Sequence, residues 1–302
     1  MAKKANNTTP SGTARKKTPS RKITAGASER KKATSAGKRP IQRKKPVRPR
    51  KAKQKVVRIS SRQMLILAIS VICLIAIPLF YKIDSEYGAK VPVGSYRFGI
   101  DISHHNQGEP IWDSLKVLVS SSGKTVRSVK AASDMYPIAF VFIKATEGEE
   151  LRDKNFVRNW AEAGKRNYAR GAYHFFRSSK DPYLQAKNFI EAVGELRHID
   201  LPPVVDVETI HSGCTRKELN DKLSVWLKVV TEEYGRKPII YTSEKFSKEI
   251  LYEDIVSAYP LWVAHYGVPQ PEREDWTYWQ FTDRAVVYGI KGYVDLNVVK
   301  IR

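Results

Sequence analysis

Cysteine is nearly absent from this chain: Cys73 and Cys214 are the two found among 302 residues. This excludes a disulfide-stapled scaffold and a cysteine-rich zinc module. There is no glycine loop of the kind that cradles phosphate, and no HExxH pair to hold a hydrolytic zinc. Acidic residues are missing from one end. Residues 1–62 contain 22 Lys or Arg and a single acid, Glu29, so +21 of the formal net charge of +22 lies there. The other 240 residues are almost neutral. A basic nucleic-acid-binding globule is thereby excluded, since it would carry its Lys and Arg excess across the folded surface.

The same 62 residues also contain few large apolar side chains, with Ala, Thr, Ser, Pro and Gly between most of the basic residues. Such a composition cannot bury enough surface to fold, and it predicts a disordered basic arm. Anionic lipid is the expected partner of the arm, with nucleic acid as the alternative through phosphate contacts that read no sequence. Gln63 to Tyr81 then runs for 19 residues without a charge, between Arg62 and Lys82. That is about the ~20 residues a helix needs to cross a bilayer. A cleaved signal peptide fits poorly, because the charged region is too long and no small-x-small site follows. Ile72 is likewise a poor neighbour for Cys73 as a lipoprotein acceptor. Residues 63–81 are therefore predicted as an uncleaved transmembrane signal anchor. The Lys and Arg bias places 1–62 in the cytoplasm and the rest outside, periplasmic or extracellular. Residues 82–95 read as a linker and 96–302 as the folded domain.

Within that domain short apolar or β-branched runs recur at 97–103, 138–145, 169–176, 203–208, 238–242, 261–265, 276–281 and 293–298. Near-continuous runs of this length suit strands buried on both faces. Helical stripes lie between the early ones. Phe156, Trp160 and Ala163 share a face, and Asp181-Pro182 is an N-cap followed by proline at the first helical position. Thr215 to Glu218 forms a capping box, followed by Leu219, Leu223, Trp226, Leu227 and Val230 on one face, and Gly235 ends that helix. Trp112–Asp134 and the segment after Thr242 supply two weaker helices. Five βα units followed by three strands predict a modified TIM-like (β/α)5β3 barrel, with an open doubly wound sheet as the alternative.

In such a barrel the chemistry lies at the C-terminal strand ends. Asp101, Asp206, Glu208 and Asp295 fall in or at the end of predicted strands. Asp206 and Glu208 are two apart, so both side chains leave one face of the strand, roughly 6 to 7 Å apart. A buried apolar strand has no structural use for two carboxylates on one face. Their repulsion raises the proton affinity of one of them, as a general acid near neutral pH requires. Tyr173, Tyr241 and Trp262 neighbour strand ends and are the aromatic residues expected to line a cleft. Asp101, His104 and His105 are weighed as metal ligands and set aside, because adjacent histidines in a strand point to opposite faces; no metal or cofactor is expected.

The motifs FGIDISHHNQ, FVFIKATEG, GAYHFF, PPVVDVE, IIYTS, LWVAHY, YWQFTD and GYVDLNVV, in this order, resemble the glycoside hydrolase family 25 lysozymes, the Chalaropsis-type muramidases. The resemblance spans about Phe98 to Val299. It implies a (β/α)5β3 barrel that cleaves the β-1,4 bond between N-acetylmuramic acid and N-acetylglucosamine in peptidoglycan. By motif, Glu208 would be the general acid. Asp206 would stabilise positive charge or orient the acetamido group, and Asp101 and Asp295 would complete an acidic floor. Gln280, in YWQFTD, joins the substrate-binding candidates. The chain departs from the family pattern at a polar SSSGKTVRS stretch, read as an extended rim loop, and at His265. Two rival readings keep the fold: a non-catalytic peptidoglycan-binding module that anchors the envelope, and a hydrolase of another N-acetylhexosamine polymer.

Overall fold

The structure is a computed structural model that describes residues 60–301, apart from the side chains of 78–87. Most of the predicted arm, residues 1–59, lies outside the described residues. Helix α1 (Ser61–Glu86) covers the uncharged run. It starts on a reciprocal cap, in which Gln63 N donates to Ser60 Oγ at 3.3 Å and Ser60 N donates to Gln63 Oε1 at 2.9 Å. The anchor expected at 63–81 runs past the described side chains, and among the described residues no helix is long and apolar enough to cross a membrane. The 82–95 segment is not a simple linker. It continues α1 to Glu86 and then forms strand β1 (Tyr87–Lys90).

The next strands are β2 (Tyr96–Ile102), β3 (Lys116–Val119), β4 (Lys124–Val126), β5 (Asp134–Glu147) and β6 (Leu151–Arg152). Helix α2 (Phe156–Lys165), β7 (Ala169–Phe175), α3 (Pro182–Val193), β8 (Val204–Asp206) and α4 (Arg216–Tyr234) follow. The chain ends with β9 (Ile239–Ser243), α5 (Glu244–Glu249), α6 (Glu253–Ala258), β10 (Leu261–Ala264), β11 (Trp276–Ala285) and β12 (Val294–Lys300). Strands β2, β5, β7, β8, β9, β10 and β11 pair in parallel in that order, and antiparallel β12 closes the barrel between β11 and β2. The eight barrel strands coincide with the eight runs read from the sequence.

The first crossover differs from expectation. Trp112–Asp134 contains no α-helix but two short 3-10 turns, at Trp112–Ser114 and Val129–Ala131, around the β3–β4 hairpin. β-Branched residues on each side of a Ser-Ser-Ser-Gly turn, Val117 and Val119 before it and Thr125 and Val126 after it, favour this outcome, with Gly123 in the left-handed region at φ 77°. The hairpin joins β1 and the first residues of β5 in a small antiparallel extension of the sheet. The later helices follow the sequence closely. Asp181 Oδ1 caps Leu184 N at 2.9 Å, Thr215 and Glu218 form the capping box, and Gly235 is left-handed at φ 62°. Leu219, Leu223, Trp226, Leu227 and Val230 are all buried.

The barrel interior is set by period-two alternation. Phe140, Phe142, Val204, Ile239, Tyr241, Trp262 and Tyr278 form one apolar cluster. Glycine makes room for it at two positions: a Cβ on Gly99 would lie 2.3 Å from Phe140, and one on Gly171 would lie 2.5 Å from Phe142. Continuing the same alternation toward the C-terminal ends turns the interior from apolar to polar, from Phe142 to Lys144 and from Val204 to Asp206.

Candidate active site

At this end a cleft of about 330 Å³ is lined by Asp101, Asp206, Glu208 and Asp295, together with Tyr173, Tyr241, Trp262 and Gln280. The barrel thus brings all eight site residues read from the sequence to one place. Asp295 arrives from the opposite chain direction. Because β12 is antiparallel, its first residues meet the last residues of β2, and Asp295 pairs with Asp101. Lys144, Phe175, His105 and Tyr266 also line the cleft.

Asp101 is held from two strands. Asn297 Nδ2 donates to its Oδ2 at 2.7 Å and Gln280 Nε2 donates to the same oxygen at 2.9 Å. Behind them Trp262 Nε1 donates to Asn297 Oδ1 at 2.8 Å, while Tyr266 donates to Gln280 Oε1. The one hydroxyl proton of Tyr241 serves either Gln280 Oε1, 2.8 Å away, or the neighbouring Glu208. Gln280 is therefore committed to orienting Asp101. Trp262 is 2 % exposed and stacked on Phe142 at 4.2 Å. It is a floor beneath the cleft rather than a free platform.

Asp206 is buried, and its Oδ1 has no hydrogen-bond partner. Glu208 reaches solvent at the cleft mouth. A second hollow of about 560 Å³ opens there, shared through Glu208, Tyr241 and Tyr266 and bordered by Glu244, Lys248 and His265. His265 is engaged by Glu244. His104 is tied to Asp153 at 2.6 Å, which removes it from the cleft chemistry. Among the described residues no group of three His, Cys, Asp or Glu is placed to hold a metal ion.

Burial raises the pKa of the four cleft carboxyls Asp101, Asp206, Glu208 and Asp295. It brings Asp101 up to about 6, with the amides of Asn297 and Gln280 restraining the rise. Burial and then the charge of Asp101 bring Asp295 up to about 9. Asp206 is raised well above the usual range by burial and by Glu208, and Lys144 opposes the shift. Glu208 is raised by desolvation, with Tyr241 and Lys144 holding part of it back. The cleft thus retains protons that isolated carboxylates would lose at neutral pH. Lys144, which donates to Glu147 Oε2 at 2.7 Å, is the cation the sequence reading overlooked. Its signal was a polar residue in register with Phe140 and Phe142.

Residues 100–290 match the family model described as Glycosyl hydrolases family 25. The uncharacterized protein YegX of Escherichia coli (strain K12) is 36% identical over 220 residues, 72% of this chain and 75% of that protein. Lysozyme M1 of Streptomyces globisporus is 31% identical over 213 residues, 66% of either chain. The crystal structure of the bacterial lysozyme from Streptomyces coelicolor superposes with a TM-score of 0.56 at 29% identity, covering 68% of this chain and 92% of that one. The residues at the barrel mouth and these similarities agree: the chain belongs to family 25 of the glycosyl hydrolases.

Proposed function

We propose that this chain is a lysozyme, an N-acetylmuramidase that hydrolyses the β-1,4 bond between N-acetylmuramic acid and N-acetylglucosamine in peptidoglycan. The observation that carries the reading is the pair at the end of β8: buried Asp206, with a carboxyl oxygen free for substrate, and Glu208 two residues on, at the solvent-facing mouth with a raised pKa. Matching relatives named lysozyme support the choice of polymer.

Protonated Glu208 gives its proton to the glycosidic oxygen as the bond from that oxygen to the sugar C1 breaks. Positive charge develops on C1 and the ring oxygen. Asp206 lies where its free oxygen can meet that charge or orient the 2-acetamido group. The Glu208 carboxylate then accepts a proton from the water that attacks C1, which restores the acid and leaves a new reducing end on the muramic acid. Asp295, raised to about 9 by burial and the charge of Asp101, holds a proton that keeps the total negative charge of the cleft low, while Asp101, at about 6, accepts from Asn297 and Gln280 as a carboxylate.

The barrel is tethered in this reading by a membrane anchor at 63–81, with its basic arm in the cytoplasm and its active site outside. The uncharged run, the Lys and Arg bias and the exposed apolar side chains from Met64 to Ile77 support this placement. The hydrolase assignment is tested with the full chain and its Glu208→Gln form on purified peptidoglycan. The substituted chain should fold and bind but lose most of its clearing activity; clearing at the unsubstituted rate contradicts the assignment.

A further inference from the structure

A hollow larger than the two described above lies beside the catalytic cleft. It has a volume of about 900 Å³ and shares Tyr266 with the cleft. One wall is Val91, Pro92 and Val93 and the other is Val268 and Pro269. The first wall belongs to residues that precede the family match, which begins at 100. It is nevertheless firmly built into the domain. Strand β1 pairs with β4, Val91 N donates to Gly123 O at 2.9 Å, and Gly88 is so closely packed that a Cβ there would lie 2.2 Å from Thr125 Oγ1 and 2.6 Å from Val286 N.

From this we infer that residues 88–93, between α1 and the barrel, form one wall of a second saccharide-binding groove that holds the glycan strand where it leaves the catalytic cleft past Tyr266. Three features fit a saccharide. The groove and the cleft meet at Tyr266, which lines both, so a polymer seated in one has the other beside it. Its two walls are apolar and carry the half-exposed ring of Tyr266, suited to the apolar faces of sugar rings, while Tyr293 lies under the Arg284 guanidinium at 5.3 Å. Polar groups on Gln270, Thr282 and Asp283 also line it, within reach of the hydroxyl and amide rims of those rings. The inference rests on the lysozyme reading for the identity of the strand. It adds a preference for long glycans and makes the tethering segment part of the binding surface.

The test measures affinity in the full-length Glu208→Gln chain for a tetrasaccharide and an octasaccharide of alternating N-acetylglucosamine and N-acetylmuramic acid. Val93→Trp and, separately, Ala89→Trp narrow the groove. Val93 is 91% exposed, so its replacement leaves the core intact, and an unchanged melting transition verifies this for both variants. The octasaccharide should bind about tenfold more weakly in either variant, a difference worth about 1.4 kcal/mol, while the tetrasaccharide is unaffected. Unchanged octasaccharide binding overturns the groove, as does equal weakening of both oligosaccharides or no octasaccharide binding before substitution. Hydrolysis by the chain with Glu208 intact is scored separately. A chain that binds both sugars and cleaves neither contradicts the lysozyme reading and leaves the affinity comparison valid.

Discussion

Asn297 donates to Asp101 across the β12–β2 pair at 2.7 Å. An amide that is itself locked by Trp262 thus fixes a carboxyl at the centre of the cleft. Asn297→Ala should destabilise the fold by about 1–3 kcal/mol, because it leaves buried polar partners unpaired. It should also move the pKa of Asp101 further up, since the Asn297 hydrogen bond now lowers it. Chemical denaturation and an NMR titration of the Asp101 carboxyl check the two effects.

Lys144 lowers the pKa of both Asp206 and Glu208. Lys144→Met should raise both. The basic limb of kcat/KM, which in the proposed mechanism reports loss of the Glu208 proton, should therefore shift by roughly one unit to higher pH. A basic limb that stays in place would show that Lys144 has no electrical influence on the acid.

Asp295 is the clearest case of stability given up at the cleft. Its pKa rises from 3.8 unfolded to about 9 folded. Its protonated form is the one the fold favours, so its contribution is fully present below about pH 4 and declines as pH rises toward about 9. Asp295→Asn should melt higher than the original chain at pH 8, by roughly 4 °C or more, and the gap should close as pH falls to about 4. Thermal melts across that range read the difference.

Trp262 fills the barrel floor against Phe142 and Tyr241. Trp262→Ala should cost about 3–5 kcal/mol. Trp262→Phe keeps the stack but removes the donor to Asn297, and should cost nearer ~1 kcal/mol while still disturbing the pH–rate profile. Equal losses for the two variants would argue against the ring stack as the larger contribution.

The residues explain which parts of this architecture were legible in the sequence. Strands such as IAFVFIKA and PVVDVE are buried on both faces, so their apolar runs stand out, and caps such as Thr215 with Glu218 are local. Asp206 and Glu208 stood out because period two places them together. The same arithmetic applies to Asp295 and Asn297, but an Asn two residues from an Asp is unremarkable until β2 is known to lie alongside. The support from Gln280, Tyr241 and Tyr266 to Asp101 joins four segments distant in sequence. No local pattern encodes it. The first crossover was misread because KVLV and KTV are too short to announce strands, while the long interval around them suggested a helix.

The most direct test of the central claim is mass spectrometry of fragments released from defined peptidoglycan by the full chain. The account predicts new reducing ends on N-acetylmuramic acid, with their release nearly abolished by Glu208→Gln. Reducing ends on N-acetylglucosamine, or none at all from an intact and folded chain, would contradict it.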